Sequence, residues 1–122
     1  MLHFKGKEFF CPCIECSLNF DDMDEDFIRD LDLARGYAHV PFHLTSSIRC
    51  AKHNLRPETG GTKTSSHLKG LAVDIACPSS YYRYRIIYGL RRAGFDRIGI
   101  GRSYVHVDKD RDKPKELIWT YY

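Results

Sequence analysis

The sequence predicts an α+β protein, a small antiparallel sheet flanked by helices. Two observations lead there. Two segments repeat apolar residues at helical spacing, while shorter runs between and after them alternate with a period of two. The last two such runs, Arg97–Ile100 and Ser103–Asp108, follow one another around Gly101 with no helix between them, which favours antiparallel pairing.

The first helix is expected in "NFDDMDEDFIRDLDLARGYA". Acids crowd its start at Asp21, Asp22, Asp24 and Glu25, where the helix dipole favours negative charge. Met23, Phe27, Leu31 and Ala34 form its inward stripe, and Gly36 either breaks the helix or is carried through. After Pro41, "VPFHLTSSIRC" reads as a strand. Residues 51–66, "AKHNLRPETGGTKTSS", form the longest loop, and a loop of this length is usually functional or disordered. A short apolar strand follows, Leu71 to Ala76. The second helix is "SSYYRYRIIYGLRRAG": Ser79 or Ser80 caps it, Ile86, Ile87, Leu90 and Ala93 face inward, and Gly94 ends it. The tail "ELIWTYY" reads as a last strand or a docked end. No repeat or linker divides the 122 residues, so residues 1–122 are expected to form one domain.

Composition bounds the function. Hydrophobic residues make up 43% and charged residues 29%, which excludes fibrous and disordered classes. A net charge of +3 is mildly basic and suits an anionic partner without selecting one. The N-terminus carries no apolar core of signal-peptide length, and no run approaches the roughly 18 apolar residues of a membrane span. Synthesis in the cytoplasm without a signal peptide and without membrane insertion is the expectation. Of five cysteines, Cys11, Cys13 and Cys16 cluster in "CPCIEC". They offer three thiolates for a structural zinc ion, completed by Cys50, Cys77 or a histidine. A second closely spaced pair is missing, which favours plain reduced thiols.

One residue is anomalous. Asp74 sits in the middle of the apolar strand "LAVDIA", and a buried carboxylate costs several kcal/mol unless compensated. Period-two alternation puts Ala72, Asp74 and Ala76 on one face and Val73 and Ile75 on the other. In "SYVHVDKD" it likewise separates Tyr104, His106 and Asp108 from Val105 and Val107. If the two strands are neighbours, His67, Asp74 and His106 converge. Two imidazoles and a carboxylate suit a catalytic zinc ion, which would be the positive partner of Asp74. The plainer alternatives are a hydrogen-bonded core histidine and an aspartate paired with an arginine.

The pattern S-x-H-x-x-G-x-A-x-D, at Ser65, His67, Gly70, Ala72 and Asp74, with V-H-V-D at Val105–Asp108, resembles the zinc D-Ala-D-Ala carboxypeptidase and endopeptidase family, in its small bacterial and phage members. The resemblance extends to "FFCPC", "LTSSIRCAKHN" and "GFDRIGIG". It implies a Hedgehog/DD-peptidase-like fold, one catalytic Zn2+ held by His67, Asp74 and His106, and peptidoglycan stem peptides as substrates. Arg49 matches the arginine that steadies the substrate carbonyl or carboxylate, and Ser65 a serine that contacts substrate or orients the ligand loop. Family members often carry an acid three residues before the last zinc histidine as general base; here that position is Ser103. Asp108 is the next carboxylate, either as base or as the group that orients a ligand imidazole, with Asp96 and Asp110 behind it. Lys52, Lys63, Gly60 and Gly61 of the long loop would line the cleft, with His53 at its rim or simply exposed.

Two rival classes remain. A nucleic-acid module would use the interleaved tyrosines and arginines of residues 81–92, but their apolar stripe and the low net charge argue against it. A non-catalytic zinc module on the same scaffold, binding cell-wall peptide or a protein, is favoured by Ser103 alone. The peptidase reading carries an expected site of action at the cell wall, reached after phage lysis or as part of a phage particle. Which bond is cut, and whether as carboxypeptidase or endopeptidase, is not written in the sequence.

Overall fold

The computed structural model describes Phe4 and residues 23–47 and 66–122. Helix α1 spans Glu25–Ala38 and begins where the acids predict: Asp24 caps it, accepting a hydrogen bond from the Phe27 amide at 2.9 Å. Gly36 is carried through, and His39 closes the helix in the left-handed region at φ 57°. Strand β1 (Leu44–Ser46) follows. A four-residue 3-10 turn, Ser66–Lys69, leads through Gly70 at φ +68° into β2 (Ala72–Ala76). Helix α2 (Ser80–Arg92) is capped by Ser79, which accepts from the Tyr82 amide at 3.2 Å, and the chain leaves it through Gly94 at φ +94°. Strands β3 (Arg97–Ile100), β4 (Tyr104–Asp108) and β5 (Leu117–Thr120) complete the described chain.

Among the described residues the sheet has the order β1-β2-β4-β3-β5. The α+β class and the antiparallel pairing of β1 with β2, β2 with β4 and β3 with β4 agree with the sequence. The β3–β5 pair is parallel, so the sheet is mixed rather than wholly antiparallel. The reason is the path of residues 109–116. The chain leaves β4 beside the start of β3, passes that end of the strand, and re-enters the sheet there on its other side. The Leu117 amide there donates to the Asp96 carbonyl at 2.9 Å.

The two sheet faces have opposite characters, as alternation requires. Val73, Ile75, Ile98, Val105 and Val107 are fully buried and share one core with Phe27, Leu31, Ala34, Ile86 and Leu90 of the helices. Helices α1 and α2 meet at Gly89, where a Cβ would stand 2.3 Å from the Ala34 carbonyl oxygen and 2.8 Å from the Ala38 Cβ. The helices therefore cover the valine face. The opposite face carries Asp74 and His106.

Candidate metal centre

A row of residues in register runs across this second face. Ser46 pairs with Asp74, Asp74 with His106, His106 with Gly99, and Gly99 with Trp119. Strand pairing thus brings Asp74 and His106 side by side although 32 residues separate them. His67 arrives from the 3-10 turn that precedes β2. Ligand atoms of His67, Asp74 and His106 all lie within 4.8 Å of one another. The two strand positions and the turn histidine singled out in the sequence do converge.

The hydrogen bonds fix which atom each residue offers. His67 Nδ1 is 2.6 Å from the Ser47 carbonyl oxygen, which assigns the proton to Nδ1 and turns Nε2 toward Asp74 Oδ1 at 3.4 Å. His106 Nδ1 lies 2.9 Å from the same Asp74 oxygen, and its Nε2 lies 2.7 Å from Asp108 Oδ2. The imidazole rings of His67 and His106 are 5.3 Å apart, centroid to centroid. Metal–donor bonds of about 2.1 Å in a tetrahedron imply donor–donor edges of about 3.4 Å. The His67–Asp74 spacing matches that edge, and the His106–Asp74 spacing is slightly shorter. The donor set, two imidazole nitrogens and one carboxylate oxygen, therefore fits a divalent metal such as zinc.

Electrostatics agree. Burial by itself would raise the Asp74 carboxyl, but hydrogen bonds from His106 and His67 outweigh it and hold the group well below the ordinary carboxylate range. Burial would lower the His106 imidazolium, and the carboxylates of Asp108 and Asp74 reverse this and raise it. A carboxylate at each ring nitrogen favours the doubly protonated form of His106 when no metal is bound, and a cation among the three donors would compete with the proton on Nδ1.

Behind the donors stands a buried support. Asp108, with 1% of its side chain exposed, accepts from Arg97 Nε at 2.6 Å and from the Asp110 amide at 3.1 Å through Oδ1, while Oδ2 faces His106. Burial raises its carboxyl and the His106 and Arg97 contacts bring it below the usual range. Arg97 also donates to the Pro114 carbonyl. Asp110, equally buried, accepts from Ser66 Oγ at 2.8 Å and from Lys69 Nζ at 2.7 Å. It ties the turn bearing His67 to the segment that follows β4.

Not every candidate joins this group. Ser103 is exposed in the β3–β4 connection, where its carbonyl accepts from the Cys77 amide at 2.8 Å. Asp96 lies at the start of β3, its carbonyl occupied by Leu117. Cys77 is buried and reduced. Arg49, Ser65, His53, the loop residues Lys52, Gly60, Gly61 and Lys63, and Cys11, Cys13, Cys16 and Cys50 lie outside the described residues. Sequence reasoning missed Arg97, Trp119 and Tyr121. The signal was there in part: in "RIGI" and "LIWTY" the alternation sets Arg97 and Gly99, and Leu117, Trp119 and Tyr121, on one face.

A sheet face that gathers two buried histidines and a half-buried aspartate, with a carboxylate behind one imidazole, has the donor chemistry of a mononuclear metal hydrolase. A family model described as Peptidase M15 matches residues 2–108, and the chain belongs to that family. Peptidases of this family use zinc. A comparison with curated proteins gave no match. Among the described residues, no helix is long and apolar enough to cross a membrane.

Proposed function

We propose that the protein is a zinc peptidase hydrolysing peptide bonds in peptidoglycan stem peptides or cross-links, of the D-Ala-D-Ala carboxypeptidase or endopeptidase type, with residues 1–122 acting as one domain. The convergence of His67, Asp74 and His106 on the sheet face opposite the helices, in a member of the M15 family, is the observation that supports it. In this reading these three residues hold the zinc. When bound, zinc supplies Lewis acidity and brings the pKa of a water to about 7.

The chain's own groups do the rest. The Ser47 carbonyl fixes the tautomer and ring plane of His67, and Asp108 does the same for His106. Of the two roles open to Asp108, the geometry favours orientation over proton abstraction. Its oxygens are engaged by Arg97, the Asp110 amide and His106, on the side of the ring turned from the donor cluster. Arg49 and Ser65 are proposed as substrate contacts, Arg49 through a bidentate grip on a carbonyl or carboxylate. The substrate puts the protein's work at the cell wall, with delivery at phage lysis or on a phage particle as the proposed route.

The second reading, a zinc module that binds cell-wall peptide without cutting it, is favoured by Ser103 in place of an acid. One experiment separates the two. Metal content is measured for native protein and His106→Ala, and purified peptidoglycan is digested alongside with products read by mass spectrometry. One zinc per chain, lost in the variant together with a defined cleavage, supports the peptidase and names its bond. Zinc that survives the substitution sinks the assignment of the site, and zinc without cleavage selects the binding module.

A further inference from the structure

The C-terminal strand β5 lies beyond residues 2–108, the part that matches the family, yet it reaches the metal centre. Trp119 stands in register with Gly99, which stands in register with His106. A Cβ at residue 99 would lie 2.8 Å from Cε2 and Nε1 of Trp119 and 2.7 Å from Cε2 of Tyr121. The bare backbone of Gly99 is therefore what lets both rings lie down across β3. The Trp119 and Tyr121 ring centroids come to 5.8 Å and 6.3 Å from that of His106, and Tyr104 packs 5.5 Å from Tyr121. The guanidinium of Arg97 lies 5.0 Å from the Trp119 ring centroid and braces it from the side of Asp108.

Such packing would be ordinary in a core, but these rings are not sealed. Tyr121 is 51% exposed, and Trp119 and Tyr104 are each partly exposed. The result is a partly exposed aromatic ledge beside His106, with the Arg97 guanidinium on its Asp108 side. Ring faces carry a negative quadrupole and large apolar area, so they receive alkyl groups and disfavour carboxylates.

We propose that Trp119, with Tyr121 and Tyr104, forms a specificity subsite that receives the uncharged aliphatic side chain of the substrate residue flanking the scissile bond. The proposal rests on the peptidase reading above and adds a residue-level source of selectivity contributed by the C-terminal strand. A side chain as small as one methyl group suffices to discriminate in an apolar subsite, by about ten-fold or more.

Trp119 is the only tryptophan of the chain, so its emission reports on this ledge alone. The zinc-free protein is titrated with Co2+, following both the visible absorption of bound cobalt and tryptophan emission. Cobalt bound beside His106 is expected to quench Trp119 severalfold, and His106→Ala to abolish the quench. The zinc-loaded protein is then assayed on two soluble stem peptides that differ only in alanine or glycine beside the cleaved bond. The wild type is expected to favour the alanine peptide in kcat/KM. In Trp119→Ala that preference collapses by about ten-fold, and in Trp119→Phe most of it returns. Should the wild type hold cobalt and cleave neither peptide, calorimetric affinities for the same pair are compared, with the same ratio expected.

Bound cobalt with unchanged emission overturns the proposal, as does a preference that survives in Trp119→Ala. A structural role alone would lower the thermal midpoint and metal content without altering the alanine-to-glycine ratio, and that outcome also overturns it. Absence of any cobalt absorption is a different result: it removes the metal site, and the peptidase reading falls first.

Discussion

Asp108 holds His106 by the ring nitrogen that points away from the donor cluster, Oδ2 to Nε2 at 2.7 Å. The contact leaves Nδ1 for Asp74 and for a metal. It also explains why a second carboxylate is buried two residues from a candidate ligand: Arg97 and the Asp110 amide compensate its charge on the other oxygen. Asp108→Asn is therefore expected to weaken metal binding by about 10- to 100-fold, because an outer partner sets the orientation and basicity of the ligand it holds. Turnover at saturating zinc should fall far less. Competition against a chromophoric chelator measures the affinity. A variant with native affinity and no turnover would instead make Asp108 the proton acceptor.

The metal-free protein should lose stability as pH rises. His106 is raised by Asp108 and Asp74 against the opposing effect of burial, so its contribution is fully present below its unfolded value of about 6.5. It is lost as pH climbs through the higher folded value. With zinc the trend reverses, because the metal displaces a proton and binds better as protons become scarce. Urea midpoints of chelator-treated and zinc-loaded protein between about pH 5.5 and 9 would show the two slopes. Parallel slopes would contradict the shared use of His106 by proton and metal.

Asp110 governs the acid side. Burial raises its carboxyl, and Lys69, Ser66 and the Asp112 amide more than offset this and bring it to about 2. A depressed carboxyl stabilises the fold above its unfolded value of about 3.9 and loses that contribution as pH falls through the folded one. Asp110→Asn should lower stability by about 1–3 kcal/mol near neutral pH and flatten the decline between about pH 4 and 2. Because Asp110 fastens the His67 turn, zinc affinity should fall with it. Thermal melts across the acid range, with and without metal, test both parts.

Gly89→Ala tests the helix pair. The added methyl would stand 2.3 Å from a backbone oxygen of α1, which cannot move aside like a flexible side chain. Overpacking of this kind costs about 1–3 kcal/mol or more and should outweigh the usual gain of alanine over glycine in a helix. A thermal midpoint at or above the native one would show that α1 and α2 do not approach so closely.

Much of this architecture was legible because local chemistry dictates it. Asp24 and Ser79 announce helix starts by their caps, and Gly94 announces an end by its positive φ. Alternation alone placed Asp74 and His106 on the polar faces of their strands, and the anomaly of a charged residue in "LAVDIA" pointed to the site. What alternation cannot give is the order of strands. That β5 lies beyond β3 and runs parallel to it depends on the route of residues 109–116, which Pro114, Asp110 and Arg97 shape through tertiary contacts. Trp119 therefore looked like part of a tail. Arg97 was hidden for a related reason: its partner Asp108 stands on another strand, and only the β3–β4 register makes them neighbours.

That register has a consequence for how the molecule is born. The β2–β4 pair joins residues some thirty positions apart, with the whole of α2 between them. Closing such a span is entropically costly and comes late relative to helix formation, so the His67–Asp74–His106 cluster cannot pre-exist the long-range sheet. A growing chain that has not yet released β4 holds two of the three donors at most. An ion joining the three segments therefore needs the long-range pairing in place before it can bind all three donors, and once bound it is expected to slow escape from the native state.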